Sequence, residues 1–203
     1  MKKILCFGDS NTWGQVAYVE NQIAEPLRWT SILDNKLGDD YEVTSDGVCA
    51  RIAGSYEDVK PRLNGKKDFE KIIKNHKCYE IIIIALGTND LKKRYNRSSK
   101  MIVSDLSWYE DVVSKRCLDR EGKSTKFIYV APPNFNAEKD YFDADEIVRA
   151  EVVELLMQKK DNVVSFNDLE LSRDGVHISI GDHERHAQSI FEMISLMTQN
   201  EGI

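Results

Sequence analysis

The stretch YEIIIIALGTND (residues 79–90) sets four isoleucines side by side and then breaks into Gly87-Thr88-Asn89-Asp90. A strand with one wet face would alternate apolar and polar residues. An unbroken apolar run this short belongs instead to a central parallel strand covered on both faces. Similar runs ended by turn residues occur at 3–10 (KILCFGDS), 41–47 (YEVTSDG), 126–133 (KFIYVAPP) and 162–168 (NVVSFND). Helix-like segments at 28–37, 67–76, about 104–120 and 143–160 separate them, and a last one at 182–198 follows. Alternating strands and helices predict an α/β fold, a three-layer α/β/α sandwich around a five-stranded parallel sheet. Five such units predict the flavodoxin-like strand order 2-1-3-4-5.

The 203 residues carry 28 Lys+Arg against 34 Asp+Glu, a net charge of −6. No linker, repeat or composition break divides them, so one domain over 1–203 is expected. A chain of this size buries enough surface to fold without a disulfide or metal staple. The acidic balance and the lack of a Lys/Arg stripe argue against nucleic acid as a partner. The densest basic stretch, KKDFEKIIKNHK (66–77), is interrupted by Asp68 and Glu70 and reads as a solvated helix face. The longest apolar run is IIIIAL (81–86), far short of the roughly 20 residues of a membrane span, so no membrane is expected. Lys2 and Lys3 precede an apolar stretch that ends at Asp9, too short for a signal peptide. Cys6, Cys49, Cys78 and Cys117 include no C-x-x-C pair and read as reduced thiols of a cytoplasmic chain.

In open α/β sheets ligands bind at the carboxyl ends of strands, where the order reverses. Here that places Gly8-Asp9-Ser10, Asp46-Gly47 and Gly87-Thr88-Asn89-Asp90 together. The fifth strand lies roughly 14 Å from the first at about 4.8 Å per strand. The segment from Asp168 to His177 spans about 30 Å if extended, at roughly 3.3 Å per residue, so it reaches the same cleft.

Four groups at that edge carry chemistry. Ser10 stands at a strand-to-helix turn, and taken alone Gly-Asp-Ser fits a helix N-cap better than a nucleophile. Asp-Gly-Val-His (174–177) sets a carboxylate three residues before an imidazole, which in isolation is also a surface turn. A serine nucleophile, however, needs a base, and the base needs an acceptor on its other nitrogen; His177 and Asp174 are those types. Asn89 Nδ2 and the N–H groups of Ser10 and Gly47 are the donors a developing oxyanion requires. Taken singly, Gly87-Thr88-Asn89-Asp90 is a turn with Asp90 capping and Gly47 a positive-φ glycine. All four at one sheet edge favour the chemical reading. Trp13 and Arg51 border the cleft as candidate substrate contacts, with packing under the first helix an equal alternative for Trp13. Trp29, Trp108 and Tyr129 read as core.

Ile4-Leu-Cys-Phe-Gly-Asp-Ser-Asn-Thr-Trp-Gly14, Asp46-Gly47, Gly87-Thr-Asn-Asp90 and Asp174-Gly-Val-His177 resemble the four blocks of the SGNH (GDSL-like) hydrolase family. Within that family the chain most resembles the bacterial arylesterase/acyltransferase branch. Arg28-Trp29-Thr30, Gly47-Val-Cys-Ala-Arg51, Pro61-Arg-Leu-Asn-Gly65 and Ala131-Pro-Pro133 add to the likeness, which runs from about residue 4 to 180. The resemblance implies Ser10 as nucleophile, His177 as general base and Asp174 as its orienting acid. It implies an oxyanion hole of Ser10, Gly47 and Asn89. The expected activity is a serine esterase acting on small, short-acyl esters through an acyl-enzyme, by hydrolysis or acyl transfer. No long apolar insertion covers a fatty chain. A homo-oligomer is implied for this branch by resemblance alone.

Asn11 stands where leucine is usual after the serine, and Ser45-Asp46-Gly47 lacks the common Asn before the glycine. KKRYNRSSKM (92–101) is unusually basic; of a lid attracting an acidic acyl donor and a solvated loop, the loop is favoured. His183 and His186 read as helix-surface histidines, and no Cys or carboxylate set completes a metal sphere, so neither metal nor cofactor is expected. The rival from another class is a non-catalytic, flavodoxin-like phosphate- or flavin-binding module using Ser10, Thr12 and Ser45. That reading leaves Asp174 and His177 without a role.

Overall fold

A computed structural model describes residues 1–19, 21–56, 59–75, 79–114, 124–139 and 142–199. The strands are β1 (Lys2–Gly8), β2 (Tyr41–Gly47), β3 (Ile81–Ala85), β4 (Lys126–Val130) and β5 (Val163–Val164). All pair in parallel in the order β2-β1-β3-β4-β5, as the alternation predicts. The helices are α1 (Ser10–Trp13), α2 (Trp29–Leu37), α3 (Gly65–Asn75), α4 (Ser99–Ser114), α5 (Glu146–Lys159) and α6 (Asp182–Gln199).

The strand period of two sorts each apolar run onto two faces. Leu5, Phe7, Ile82, Ile84 and Tyr129 pack with Phe69 of α3, Val103, Leu106 and Tyr109 of α4, and Val152 and Leu156 of α5. Ile4, Cys6, Ile81, Ile83 and Ile128 pack with Trp29 and Leu33 of α2 and Ala187, Ile190 and Ile194 of α6. Both faces of the isoleucine run are therefore dry, which is why it shows no alternation. Trp29 and Tyr129 are buried as expected, and Trp108 packs at the edge of the first cluster.

Three boundaries differ from the sequence reading. β5 has two residues because it pairs only with the end of β4, after which Phe166 and Leu169 turn into the core. α4 begins at Ser99, five residues early, with Ser98 Oγ accepting from Met101 N–H (3.4 Å). Its expected end at 115–120 lies outside the described residues, as do Cys78, Cys117 and positions 76–77. α5 starts at Glu146, where Asp145 caps it by accepting from the N–H groups of Ile147 (2.9 Å) and Val148 (3.1 Å). Among the described residues no helix is long and apolar enough to cross a membrane.

Candidate active site

The turn after β1 is built from glycines and a capping aspartate. Asp9 Oδ1 accepts from Asn11 N–H (3.0 Å), and Gly14 ends α1 in a left-handed conformation with its N–H on Ser10 O. A Cβ on Gly8 would sit 1.9 Å from Thr12 Oγ1, and one on Gly47 would sit 2.2 Å from Trp13 N. Gly47 is thus required by close approach of α1 rather than by the positive φ that the turn suggests when taken singly; its φ is not among the positive ones. The register pairs Gly8 with Gly47 on one side and with Ala85 on the other, so the three strand ends are level.

The loop after β5 brings His177 onto that turn. His177 Nε2 lies 2.9 Å from Ser10 Oγ, and His177 Nδ1 lies 2.6 Å from Asp174 Oδ2. All three residues are buried. Asp174 Oδ1 also accepts from the N–H groups of Val176 and His177, both at 3.1 Å, which bends the loop so that carboxylate and imidazole face each other. Burial acts to raise the Asp174 carboxyl. The His177 ring bond and the two backbone N–H bonds outweigh it, and the group lies below its ordinary value. A hydroxyl, an imidazole and an ionised carboxylate in this series can carry a proton from Oγ to the ring.

Asn11 Oδ1 accepts from Ile178 N–H (3.0 Å), tying the turn after β1 to the histidine loop. No apolar residue could make this bond, so the exchange for leucine has a local purpose.

The third strand end supplies Asn89, also buried. Its Nδ2 donates to Arg51 O (3.2 Å), and its Oδ1 accepts from Lys92 Nζ (2.8 Å). Asp90 does not cap a helix, the role the motif suggests when taken singly. It accepts from Ala53 N–H (2.8 Å), Gly54 N–H (3.2 Å) and the Tyr56 hydroxyl, pinning the 53–56 loop beside Asn89.

Arg51 corrects the sequence reading. It has no exposed surface and cannot contact substrate. Its guanidinium donates to Gly8 O (3.0 Å), Asp46 O (2.7 Å), Asp46 Oδ1 (2.6 Å) and Asp68 Oδ2 (2.7 Å), and it lies 4.0 Å from the Phe7 ring centroid. It fixes the β1 and β2 ends from beneath. Trp13 is half-buried at the end of α1.

The basic stretch after Asp90 is no plain solvated loop. Lys92 turns inward, over the Phe142 ring and onto Asn89, and burial lowers its ammonium to about 8, with Arg94 lowering it further and Asp9 and Asp90 opposing. Arg97 pairs with Asp105. Lys92 is the residue that sequence reasoning missed; its spacing of three from Asn89 in a turn was the available signal. His183 and His186 are also buried rather than on the helix surface. His183 Nδ1 accepts from Trp29 N–H (3.2 Å), and the His186 ring lies 5.0 Å from those of Trp29 and Phe166. They form no metal cluster among the described residues.

The model of the GDSL-like lipase/acylhydrolase family matches residues 4–190. No curated protein matches the chain. Among solved structures, the aryl esterase of M. smegmatis is 27% identical, with a TM-score of 0.82 over 96% of this chain and 99% of that one. Est24, a carbohydrate acetylesterase from Sinorhizobium meliloti, is 24% identical, with a TM-score of 0.84 over 97% and 100%. A member of the lipolytic protein G-D-S-L family from Veillonella parvula is 18% identical, with a TM-score of 0.71 over 96% and 99%.

Proposed function

Because the chain belongs to the GDSL-like lipase/acylhydrolase family, we propose that it is a serine esterase of small, short-acyl carboxylic esters. The single observation that carries this reading is the hydrogen-bonded series Ser10 Oγ, His177 Nε2, His177 Nδ1 and Asp174 Oδ2, at 2.9 and 2.6 Å.

Ser10 Oγ attacks the ester carbonyl while His177 Nε2 takes its proton. The bond from Asp174 keeps Nδ1 protonated before the transfer and stabilises the imidazolium after it. The carbonyl oxygen, now negative, is held by Ser10 N–H, Gly47 N–H and Asn89 Nδ2. An amide carries two N–H donors, so Asn89 keeps one for Arg51 O and offers the other to the oxyanion. Lys92 holds Asn89 Oδ1 and so fixes which way the amide faces; its ammonium adds positive charge beside the oxyanion. His177 returns the proton to the departing alcohol, and water or a second alcohol then releases the acyl group from Ser10. Trp13 borders the entrance and packs against the bound ester. Polar connections after β1 and β3 favour short acyl groups, in keeping with the acetylesterase and aryl esterase named among the structural relatives.

A stoichiometric organophosphate tests the nucleophile directly. Intact mass should rise by one phosphoryl adduct located on Ser10, and the Asp174→Asn variant should label far more slowly. Labelling elsewhere, or none, contradicts the assignment. The binding-module alternative leaves the bonded Asp174 and His177 idle, and the buried Asp9 beside Ser10 would repel a phosphate. A yellow preparation carrying flavin mononucleotide would favour it.

A further inference from the structure

A cleft of about 390 Å³ is lined by Val59, Lys60, Arg62, Leu63, Arg94 and Tyr95. Its walls come from two 3-10 turns, Pro61–Leu63 and Lys93–Tyr95, that follow the carboxyl ends of β2 and β3. Tyr56 joins it to the site. Its ring lies 5.2 Å from that of Tyr95, and its hydroxyl donates to Asp90, the neighbour of Asn89.

Three cations face this space in a chain whose net charge is −6. Elsewhere nearby, cations find carboxylates: Lys66 and Arg97 pair with Asp105, and Lys93 with Asp143. Among the described residues no carboxylate pairs with Lys60, Arg62 or Arg94. Arg94 is instead pre-set by aromatic contact. Its guanidinium lies 4.8 Å from the Tyr95 ring, and Nη2 donates to the Tyr95 hydroxyl at 2.9 Å. One face of the fork is held while its remaining N–H groups stay available. Like charges gathered with no carboxylate paired to them among the described residues repel one another, and a bound anion relieves that repulsion. The volume suits a small-molecule group, and Val59, Leu63 and the tyrosine ring supply apolar wall for its body. A guanidinium fork beside a second arginine and a lysine matches the oxygens of a carboxylate or phosphate.

We propose that this cleft binds an anionic group carried by the ester itself, so that the preferred substrates are short-acyl esters bearing a carboxylate or phosphate. The inference rests on the esterase reading of Ser10 and deepens it. A free anion acting as an effector has the same chemistry, and the experiment separates the two sources.

Wild type and an Arg62→Ala/Arg94→Ala variant are compared on p-carboxyphenyl acetate and on its neutral methyl ester. At about 10 mM salt, where screening is weak, the wild-type ratio of kcat/KM values should favour the charged ester by about tenfold. High salt should reduce that ratio, and the variant should bring it to about one. A ratio serves because folding defects act on both esters alike. A wild-type ratio of one, or an advantage that survives in the variant, overturns the proposal. Inorganic phosphate should erode the charged ester's advantage by competition; if it instead accelerates the neutral ester, the anion is an effector and the substrate assignment is wrong. Binding is read separately by calorimetry on the Ser10→Ala protein. p-Hydroxybenzoate should bind tighter than p-hydroxybenzamide, and the added Arg62→Ala/Arg94→Ala changes should remove the difference. If wild type hydrolyses neither ester, the esterase reading fails, while equal binding of the two phenols overturns the cleft assignment on its own.

Discussion

Arg51 and Lys92 show how far a residue's name falls short of its job. Both are cations near the candidate site, yet one is sealed beneath the strand ends and the other is turned onto Asn89. Sequence spacing placed Arg51 at the cleft but could not tell a guanidinium reaching outward from one folded under Gly8 and Asp46. Removing it takes the guanidinium from Asp46 and Asp68 and one donor each from the Gly8 and Asp46 carbonyls. Arg51→Met should therefore cost about 3–5 kcal/mol of stability by chemical denaturation, and KM for a neutral ester should change little in whatever fraction stays folded. A normal melting curve with a raised KM would restore the substrate-contact reading. Lys92 makes a different prediction. Its ammonium, lowered to about 8 first by burial and then by Arg94, carries charge at neutral pH and loses it as pH rises through about 8. Deprotonation removes positive charge beside the proposed oxyanion hole, so kcat should fall above about pH 8. Lys92→Arg, which stays charged, should extend the plateau upward, and Lys92→Met should lower kcat by roughly tenfold below about pH 8, with the deficit narrowing above it as wild type loses its own charge. A pH profile identical in all three proteins would exclude Lys92 from the site's electrostatics.

Among the elements, the contact of α2 with α6 is the least legible from sequence. His183 and His186 look polar and sit three apart, yet the face they share with Ala187, Ile190 and Ile194 is the buried one. Their neutrality is what makes the packing work. His183 needs a lone pair on Nδ1 to accept from Trp29 N–H, a donor at the start of α2 with no earlier carbonyl to reach. Burial lowers His183 to about 4, against a smaller opposing pull from Asp182. It lowers His186 to about 3, and His183 lowers it further. Folded pKa values below the unfolded value of about 6.5 mean that the unfolded chain binds more protons between the two. The stability these neutral histidines preserve is thus fully present above about pH 6.5 and is lost as pH falls toward 4 and then 3. The slope approaches about 1.4 kcal/mol per pH unit for each histidine. Asp90, which burial lifts to about 6, takes up its proton in the folded state and acts in the opposite sense. The informative measurement is therefore the difference between wild type and His186→Phe, a ring that can keep the stack on Trp29 and Phe166. Denaturation midpoints should decline less steeply from pH 6.5 to 4 in the variant, and parallel declines would show that His186 already titrates freely. Strand existence and order were readable because apolar runs and their turn residues are local signals. The short β5 and the early start of α4 were not. Both depend on neighbours, the end of β4 in one case and the burial of Ile102 and Val103 in the other.

Across the whole molecule, the sheet order does what no single segment can. Ser10 and His177 stand 167 positions apart and meet only because β1 is central and the loop after β5 folds back across the strand ends. The blocks at 8–10, 46–47, 87–90 and 174–177 were legible as a set because each is a turn that a parallel sheet must place at the same edge. What lay beyond sequence was the packing between the blocks: Asn11 bonding Ile178, Asp90 pinning the 53–56 loop, and the cations gathered around the cleft at 59–63 and 94–95. The central claim is that this edge performs nucleophilic ester cleavage through Ser10. It is tested most directly by the hydrolysis of p-nitrophenyl acetate by wild type and Ser10→Ala proteins, each shown to be folded. Loss of Ser10 should lower kcat by about ten-thousand-fold or more, to the residue left by binding and the oxyanion donors alone. Equal turnover by the two proteins would contradict it.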